Sequence, residues 1–434
     1  MERWRARFIS IWSGQTLSAV GSVAAQFALV WWVTEKTESA TVLATASLVA
    51  MAPSILLRPF VGVLVDRWNR KRVMMISDSF IALVSLWLAY LFATGAMEVW
   101  HVYVVMLARS FGGAFHHTAT MASMTLIVPK KHYARIEGLN QMIDGGLGVL
   151  GPMLGAFLMM LLPVHGIMMI DFVTAAFAVL PLFFFSIPQP EPIDEEAGEK
   201  PRFWDGFRSG LRYTLGWRGL LALCGLLVVL NFALSPAFSL TPILVLKAFG
   251  GDKIMLGSFN SAMGLGTVAG GLILSIWGGS RRKILATLGA VVSMGGSLFL
   301  TAFAPAGMFY IAIAGYFLSG GLMALGNGNL RAVFRGVVHP SMQGRVGSLM
   351  GSLAIAMSPI GLLIAGPVAD AIGVRSWFMI AGSILVLGGL AGFGMRSLRN
   401  IEAEAEERRA VHAQPEEAVG ETQGIPSAPP SDPT

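Results

Sequence analysis

Charge is scarce in this sequence. Asp, Glu, Lys and Arg make up 13% of its 434 residues, about half the share of a soluble domain. A soluble fold of this length buries a large core but still needs a charged surface, and too few charges are present to cover one. Hydrophobic residues make up 54%, so lipid is the solvent this composition fits. Cysteine is nearly absent. The single Cys224 lies inside an apolar run, which excludes an intrachain disulfide framework and a cysteine-based metal site. No phosphate-binding Walker loop, HExxH or GxSxG sequence occurs, so ATP does not drive the chain directly and no enzyme or cofactor is implied.

The net charge of +6 does not point to nucleic acid. The basic residues sit in short clusters between apolar runs, the pattern of a topology signal. A membrane-spanning helix needs about 20 apolar residues. Twelve such runs are present, near 8–33, 41–65, 73–95, 100–128, 137–162, 164–187, 217–246, 254–278, 284–304, 308–334, 346–372 and 376–396. The first follows Arg3, Arg5 and Arg7 as a signal peptide does, but it is longer than a typical signal core and is read as an uncleaved span. Alternate loops carry the charge: Arg67, Arg70, Lys71, Arg72; Lys130, Lys131, Arg135; Arg281, Arg282, Lys283; Arg335, Arg345; and Arg396, Arg399. The opposite loops hold only Lys36, Lys247, Lys253 and Arg375. The bias predicts a multi-pass protein of the cell inner membrane with both termini in the cytoplasm.

The fold class this implies is all-α integral membrane, twelve spans in two pseudo-symmetric six-helix bundles. Residues 1–187 and 213–397 are the bundles. Residues 188–212 are a cytoplasmic linker rich in Pro and Glu, ending in a short interfacial helix on which Phe203, Phe207 and Leu211 share a face. The tail, 398–434, has no apolar period and is expected to be disordered. A weak repeat links the halves. Gly62 is followed by Trp68 and Arg70, Lys71, Arg72; Gly271 is followed at the same interval by Trp277, then Arg281, Arg282, Lys283. Repeated halves are a transporter signature.

Polar residues recur at helical spacing in four spans: Gln15, Ser18, Ser22, Gln26; Arg109, Gly113, His116, Thr120; Asn231, Ser235, Ser239, with Pro236 free to break the helix; and Asn327 with Arg331. Such stripes face protein or a water-filled cavity, since facing lipid is costly. They therefore predict either a substrate cavity or interhelical hydrogen bonding. Arg109 is too deep to reach the surface and needs a partner; Asp171 lies at similar depth. The pair is a coupling charge or a structural ion pair. Asp144 is a further candidate for proton coupling, or a solvated vestibule residue. His117 points about 100° away from His116 along the helix and is read as structural. The fifth span combines Asp144 with Gly148, Gly151, Pro152 and Gly155, and the eighth carries Gly257, Ser261, Gly264 and Gly271. Small residues on both predict a packed seam between the halves.

The segment GVLVDRWNRKR, Gly62 to Arg72, resembles the signature loop of the major facilitator superfamily, with Asn69 in place of the usual Gly. Asn also enters left-handed turns. RSFGG around Arg109 resembles the family's embedded-arginine motif, and GPMLG, Gly151 to Gly155, its antiporter-like glycine–proline motif. WSGQTLSAVGS, FGGAFHHTA, WGGSRRK and QGRVGSL resemble the macrolide-efflux-type drug exporters of that superfamily. The resemblance covers about residues 5–396. It implies a secondary transporter working by alternating access: proton-coupled export of an amphipathic drug-like compound, or of a native product such as a siderophore or lipid-like metabolite. A non-transporting receptor or scaffold is the reading from another class. The implied gating loop is Gly62, Asp66, Arg67, Arg70, Lys71 and Arg72, with Asp66 beside the N-terminus of the eleventh span in one state. The implied partners are the small substrate, protons and the lipid bilayer, and the implied unit is a monomer.

Overall fold

The computed structural model describes residues 3–185, 187 and 203–407. Among these, all regular structure is helical. Lipid offers no partner to a backbone N–H or C=O, so an apolar run that crosses it closes its own hydrogen bonds as a helix. The N-terminal half has six long helices: α1 Arg3–Thr37, α2 Ala40–Arg67, α3 Arg70–Ala93, α4 Val99–Ile127, α5 Tyr133–Leu161 and α6 Val164–Phe184. The C-terminal half has six more: α7 Arg218–Ser239, α8 Lys253–Trp277, α9 Lys283–Phe303, α10 Phe309–Val337, α11 Gln343–Ile372 and α12 Val374–Gly394. Among the described residues, eleven helices are long and apolar enough to cross a membrane. The remaining long one, α4, has sufficient length at 29 residues, but His101, Arg109, His116 and His117 dilute its apolar character.

Short polar caps set the helix starts. Ser39 accepts from the Val42 N–H at α2, Asn69 from Arg72 at α3, and Asp252 from Ile254 and Met255 at α8. Each satisfies donors that a helix start leaves open. The reason expected for Asn69 is corrected. Its backbone is extended (φ −67°, ψ 108°), so it serves as a side-chain cap and makes no left-handed turn. Pro236 does not break α7 either. The helix continues to Ser239 and ends at Leu240, and a short turn, Thr241–Ile243, and a wide turn, Leu244–Ala248, follow.

The halves meet along two lines, α2 against α11 and α5 against α8. The apolar cores show where. One core draws on both halves, with Leu29 and Ala44 beside Leu240, Phe259 and Trp377. It occupies the end bearing the α1–α2 and α7–α8 connections, here called the far end. At the other end, where α1 starts, α6 ends and residues 401–407 lie, here called the linker end, the cores are separate. One holds only N-terminal residues such as Ile11, Val65 and Met74; the other holds only C-terminal residues such as Leu220, Val346 and Ile401. The two halves are packed together at the far end and part at the linker end.

A linker helix, Phe203–Leu215, is present where a short helix was expected. It docks on the C-terminal half, with Gly210 against the Arg345 backbone and Arg345 Nη1 donating to Ser209 Oγ at 3.4 Å. The linker before it, 188–202, and the side chains of Phe203 and Phe207 lie outside the described residues. The tail boundary needs correction. Residues 401–407 are helical. Ile401 and Ala405 are buried in the C-terminal core, and Glu404 accepts from Trp217 Nε1 at 2.8 Å. An Ile and an Ala four residues apart form one small apolar face, a pattern too short to register in a charged tail. The rest of the tail, 408–434, lies outside the described residues.

Candidate functional site

A cavity of about 470 Å³ opens between the halves, within the range that holds drug-sized ligands. Its walls come from α7, α9, α10 and α11, with Met51, Ser54 and Ile55 of α2 across from them. The surface is chiefly Leu, Met, Val and Phe. Its polar points are Ser54, Asn231, Ser235, Thr287, Asn327 and Ser358, and among the described residues no ionisable side chain lines it. Three residues of the sequence stripes, Asn231, Ser235 and Asn327, are therefore brought together here. Asn231 spends its amide on the Leu227 carbonyl of its own helix at 3.0 Å, a back-bond that leaves the side-chain oxygen as an acceptor.

The N-terminal stripes are placed differently. Arg109, Gln15, Ser22 and His116 do not line this cavity; they bond to one another and to acids inside the N-terminal bundle. Arg109 Nη1 lies 2.6 Å from Asp171 Oδ2 and 2.8 Å from Ser85 Oγ. Ser85 donates to the same carboxylate at 2.6 Å, and Ser22 donates to its other oxygen at 2.9 Å. Asp171 is fully buried. A charge at this depth persists only when paired and hydrogen-bonded, and every contact here meets that need. Arg109, expected in the cavity wall, is placed elsewhere: its charge is spent on Asp171, the partner its depth suggested. Gln15 Nε2 donates to Asp78 Oδ2 at 2.9 Å, and His116 Nε2 bonds Gln15 Oε1 at 2.9 Å. His116 also stands 3.2 Å from Asp78 Oδ1 and 3.3 Å from Thr120 Oγ1. Ser18 is half-buried, Gln26 and His117 are exposed, and open space adjoins Gly113.

The seam between α5 and α8 has the small residues the sequence shows. A Cβ on Gly257 would stand 3.2 Å from the Pro152 carbonyl, and one on Gly264 would stand 2.9 Å from that of Gly148. Ser261 Oγ donates to the Val149 carbonyl at 2.6 Å, and Lys253 Nζ to that of Met159 at 2.8 Å. Gly151 and Gly155 instead turn to α1, against Val23 and Phe27. Toward the linker end the seam opens. Gly145, Gly146 and Gly271 adjoin open space, and Asp144 is exposed.

The gating loop is structured around Arg70. Its side chain is buried, and Nη1 donates to the Ala122 carbonyl of α4 at 2.9 Å. Arg67 and Arg72 are exposed and Lys71 is half-buried. The expected meeting of Asp66 with the start of α11 rests on a side chain outside the described residues; open space adjoins Gly62 on α2 and Gly351 on α11. The counterpart contact exists at the far end. Asp370, near the end of α11, accepts from the backbone N–H groups of Ala40 and Thr41 at 2.7 and 2.9 Å, and from Ser39 Oγ at 2.9 Å. A carboxylate thus caps the start of α2 across the two halves, where the helix dipole favours it.

Asp78 and Asp370 were missed in the sequence. Both signals were present: an acid within the apolar run MMISDSFIALV, and another in PVADAI. An intramembrane carboxylate is a functional candidate by default.

A sequence profile of the Major Facilitator Superfamily matches residues 11–354. Macrolide efflux protein A of Streptococcus pyogenes is 30% identical over 383 residues, spanning 88% of this chain and 94% of that protein. Multidrug efflux pump Tap of Mycolicibacterium fortuitum is 27% identical over 387 residues, 82% of this chain and 88% of its own length. Among solved structures, a bacterial homolog to the human lysosomal transporter Spinster, inward-facing and unoccupied, matches with a TM-score of 0.68. That match covers 94% of this chain and 98% of the other at 12% identity, a likeness of fold alone.

Proposed function

The chain belongs to the Major Facilitator Superfamily, and on that premise we propose that this membrane-spanning transporter exports bulky amphiphiles, macrolides among them, in exchange for protons. The observation that carries the reading is the cavity wall: apolar area with six scattered hydrogen-bonding side chains and, among the described residues, no formal charge. Apolar area binds a large hydrophobic scaffold, and a few neutral polar points satisfy its hydroxyl and carbonyl groups. A permanent cation buried there lacks an opposing charge for its desolvation. The site therefore suits neutral, zwitterionic or weakly charged compounds. Arg109 adds no charge to this wall, since it is already paired with Asp171.

The packing of the halves supports alternating access. They are joined at the far end and parted at the linker end, which fits one extreme of a rocking motion about the cavity. In this reading the protein sits in the inner membrane as a functional monomer, with the linker end and both termini in the cytoplasm, where the Lys and Arg bias puts them. A cysteine at exposed Arg208, in a Cys224→Ala background, is expected to resist an impermeant thiol reagent added outside intact cells, while one at exposed Glu38 is labelled. Labelling at 208 from outside overturns the orientation.

Coupling is carried by ionisable groups of the N-terminal half; of the sequence candidates, Arg109 and Asp171 are already held by each other. Asp144, the third, is exposed at the open end of α5. The test is a susceptibility panel in a deletion strain, with efflux measured with and without a protonophore. Resistance to macrolides and other uncharged amphiphiles, lost with the protonophore, is the expected result. Equal resistance to matched quaternary cations contradicts the neutral-site reading. No change toward any compound points instead to a native metabolite.

A further inference from the structure

The buried face of α3 and the facing side of α4 form a polar ladder that the cavity does not use. Its rungs are Arg70 with the Ala122 carbonyl, Asp78 with His116, and Ser85 with Arg109. The helices run antiparallel, so the order 70, 78, 85 on one matches 122, 116, 109 on the other. Seven residues separate the second and third rungs on each helix, about 10 Å of rise. α1 joins both layers, through Gln15 at the second rung and Ser22 at the third.

The two deeper rungs differ chemically. Asp171 has a permanent cation and two hydroxyl donors on its oxygens, and Arg109 does not lose its proton. That layer is locked. At the other, Asp78 faces an imidazole. With Asp78 ionised, the Gln15 amide nitrogen donates to the carboxylate and its oxygen accepts from His116. His116 Nε2 therefore carries the hydrogen, and the lone pair lies on Nδ1. The His116 side chain keeps 24% of its exposure against 6% for Asp78, so the ring is the exposed side of the layer.

We propose that the Asp78–Gln15–His116 layer is where the transporter carries the coupled proton, and that Arg109–Asp171 is its permanent structural neighbour. This rests on the proton-coupled reading above. A proton from water adds to His116 Nδ1, and the Asp78 carboxylate balances the imidazolium. Loss of that proton to water restores the neutral ring. The layer discharges in the form open at the linker end, as seen here, and loads in the form open at the far end. The charged surroundings are few. α1 has no ionisable residue between Arg7 and Glu35. α3 contributes Asp78 and, two turns on, Arg70. α4 contributes Arg109, already paired, and His117, which is exposed. On α2, Arg67 is exposed, and the side chains of Arg58 and Asp66 are outside the described residues. Glu137 of α5 lies further toward the linker end, lining a pocket with Met121 and Met124 of α4, and accepts from Gln141.

The test uses the full chain in proteoliposomes, with a labelled macrolide followed in two modes. Uptake driven by an imposed pH gradient needs net proton movement; counterflow against unlabelled macrolide does not. In Asp78→Asn and His116→Gln, gradient-driven uptake is expected to fall about tenfold or more while counterflow stays within about twofold, the scale of a lost coupling between two ligands. The pH dependence of uptake disappears with it. Gradient-driven uptake retained in both variants overturns the proposal. Loss of counterflow together with uptake in both also overturns it, since a purely structural role moves both modes. A wild-type protein that ignores the gradient defeats proton coupling itself, a separate result from either variant outcome.

Discussion

Arg109 and Asp171 show what one residue pair contributes to a membrane bundle. Their charges are 2.6 Å apart with side-chain exposures of 12% and 1%, and removing one partner strands the other. Asp171→Asn or Arg109→Gln is expected to cost about 3–5 kcal/mol, read as a lower melting temperature in detergent. The double variant costs less than the sum, because neither leaves an unpaired charge. Additive losses in thermal unfolding contradict the pairing. This pair was legible in the sequence from depth alone, since two opposite charges at mid-membrane need each other. The second layer was not. His116 was visible as part of a stripe, but its partner lay on α3, where Asp78 is an isolated acid in a run of Met, Ile and Ser. A stripe shows the face of its own helix and carries no information on which neighbouring helix answers it. For the same reason the stripe on α1 reads equally well as a cavity wall and as an interhelical bond; the structure gives Gln15 and Ser22 the second role.

Among the helices, α8 and α10 approach most closely through glycine. A Cβ on Gly266, Gly270 or Gly320 would run into the backbone of Phe317, Gly321 or Met263 across the pair. Backbone cannot yield as a flexible side chain does. Gly266→Val is therefore expected to destabilise the C-terminal half by at least the about 1–3 kcal/mol of core overpacking, seen as loss of monodisperse protein and a lowered melting temperature. Unchanged stability rejects the seam. Glycine-rich spans were legible as packing faces, and the α5–α8 seam is found with Gly257 and Gly264 against α5; that Gly151 and Gly155 face α1 was not legible. The Asp370 cap acts at this scale too. It ties α11 to α2 only at the far end, so it stabilises the form seen here over one open at that end. Spin labels at Glu38 and Ile372, in a Cys224→Ala background, are expected to show a longer-distance population in Asp370→Asn than in the parent. An unchanged distance distribution contradicts the latch.

At the scale of the whole molecule, two halves share one apolar core at the far end and keep separate cores at the linker end. The twelve long helices were legible because lipid imposes length and apolarity on its spans; the end of α7 was not, since the apolar run to 246 leaves the helix after Ser239 for a short and a wide turn. Which end would be open was not, since a transporter sequence must serve both forms and its packing faces are written for each. The open glycines at 62, 271 and 351 are faces for which this form has no partner. The proposed cycle uses a proton gradient to move a neutral amphiphile through the cavity between the halves. The most direct measurement is accumulation of a labelled macrolide in everted membrane vesicles energised to an acidic interior. Accumulation is predicted to follow the gradient, collapse with a protonophore and persist without ATP when the gradient is imposed artificially. Accumulation that survives the protonophore, or that requires ATP under an imposed gradient, contradicts proton-driven export.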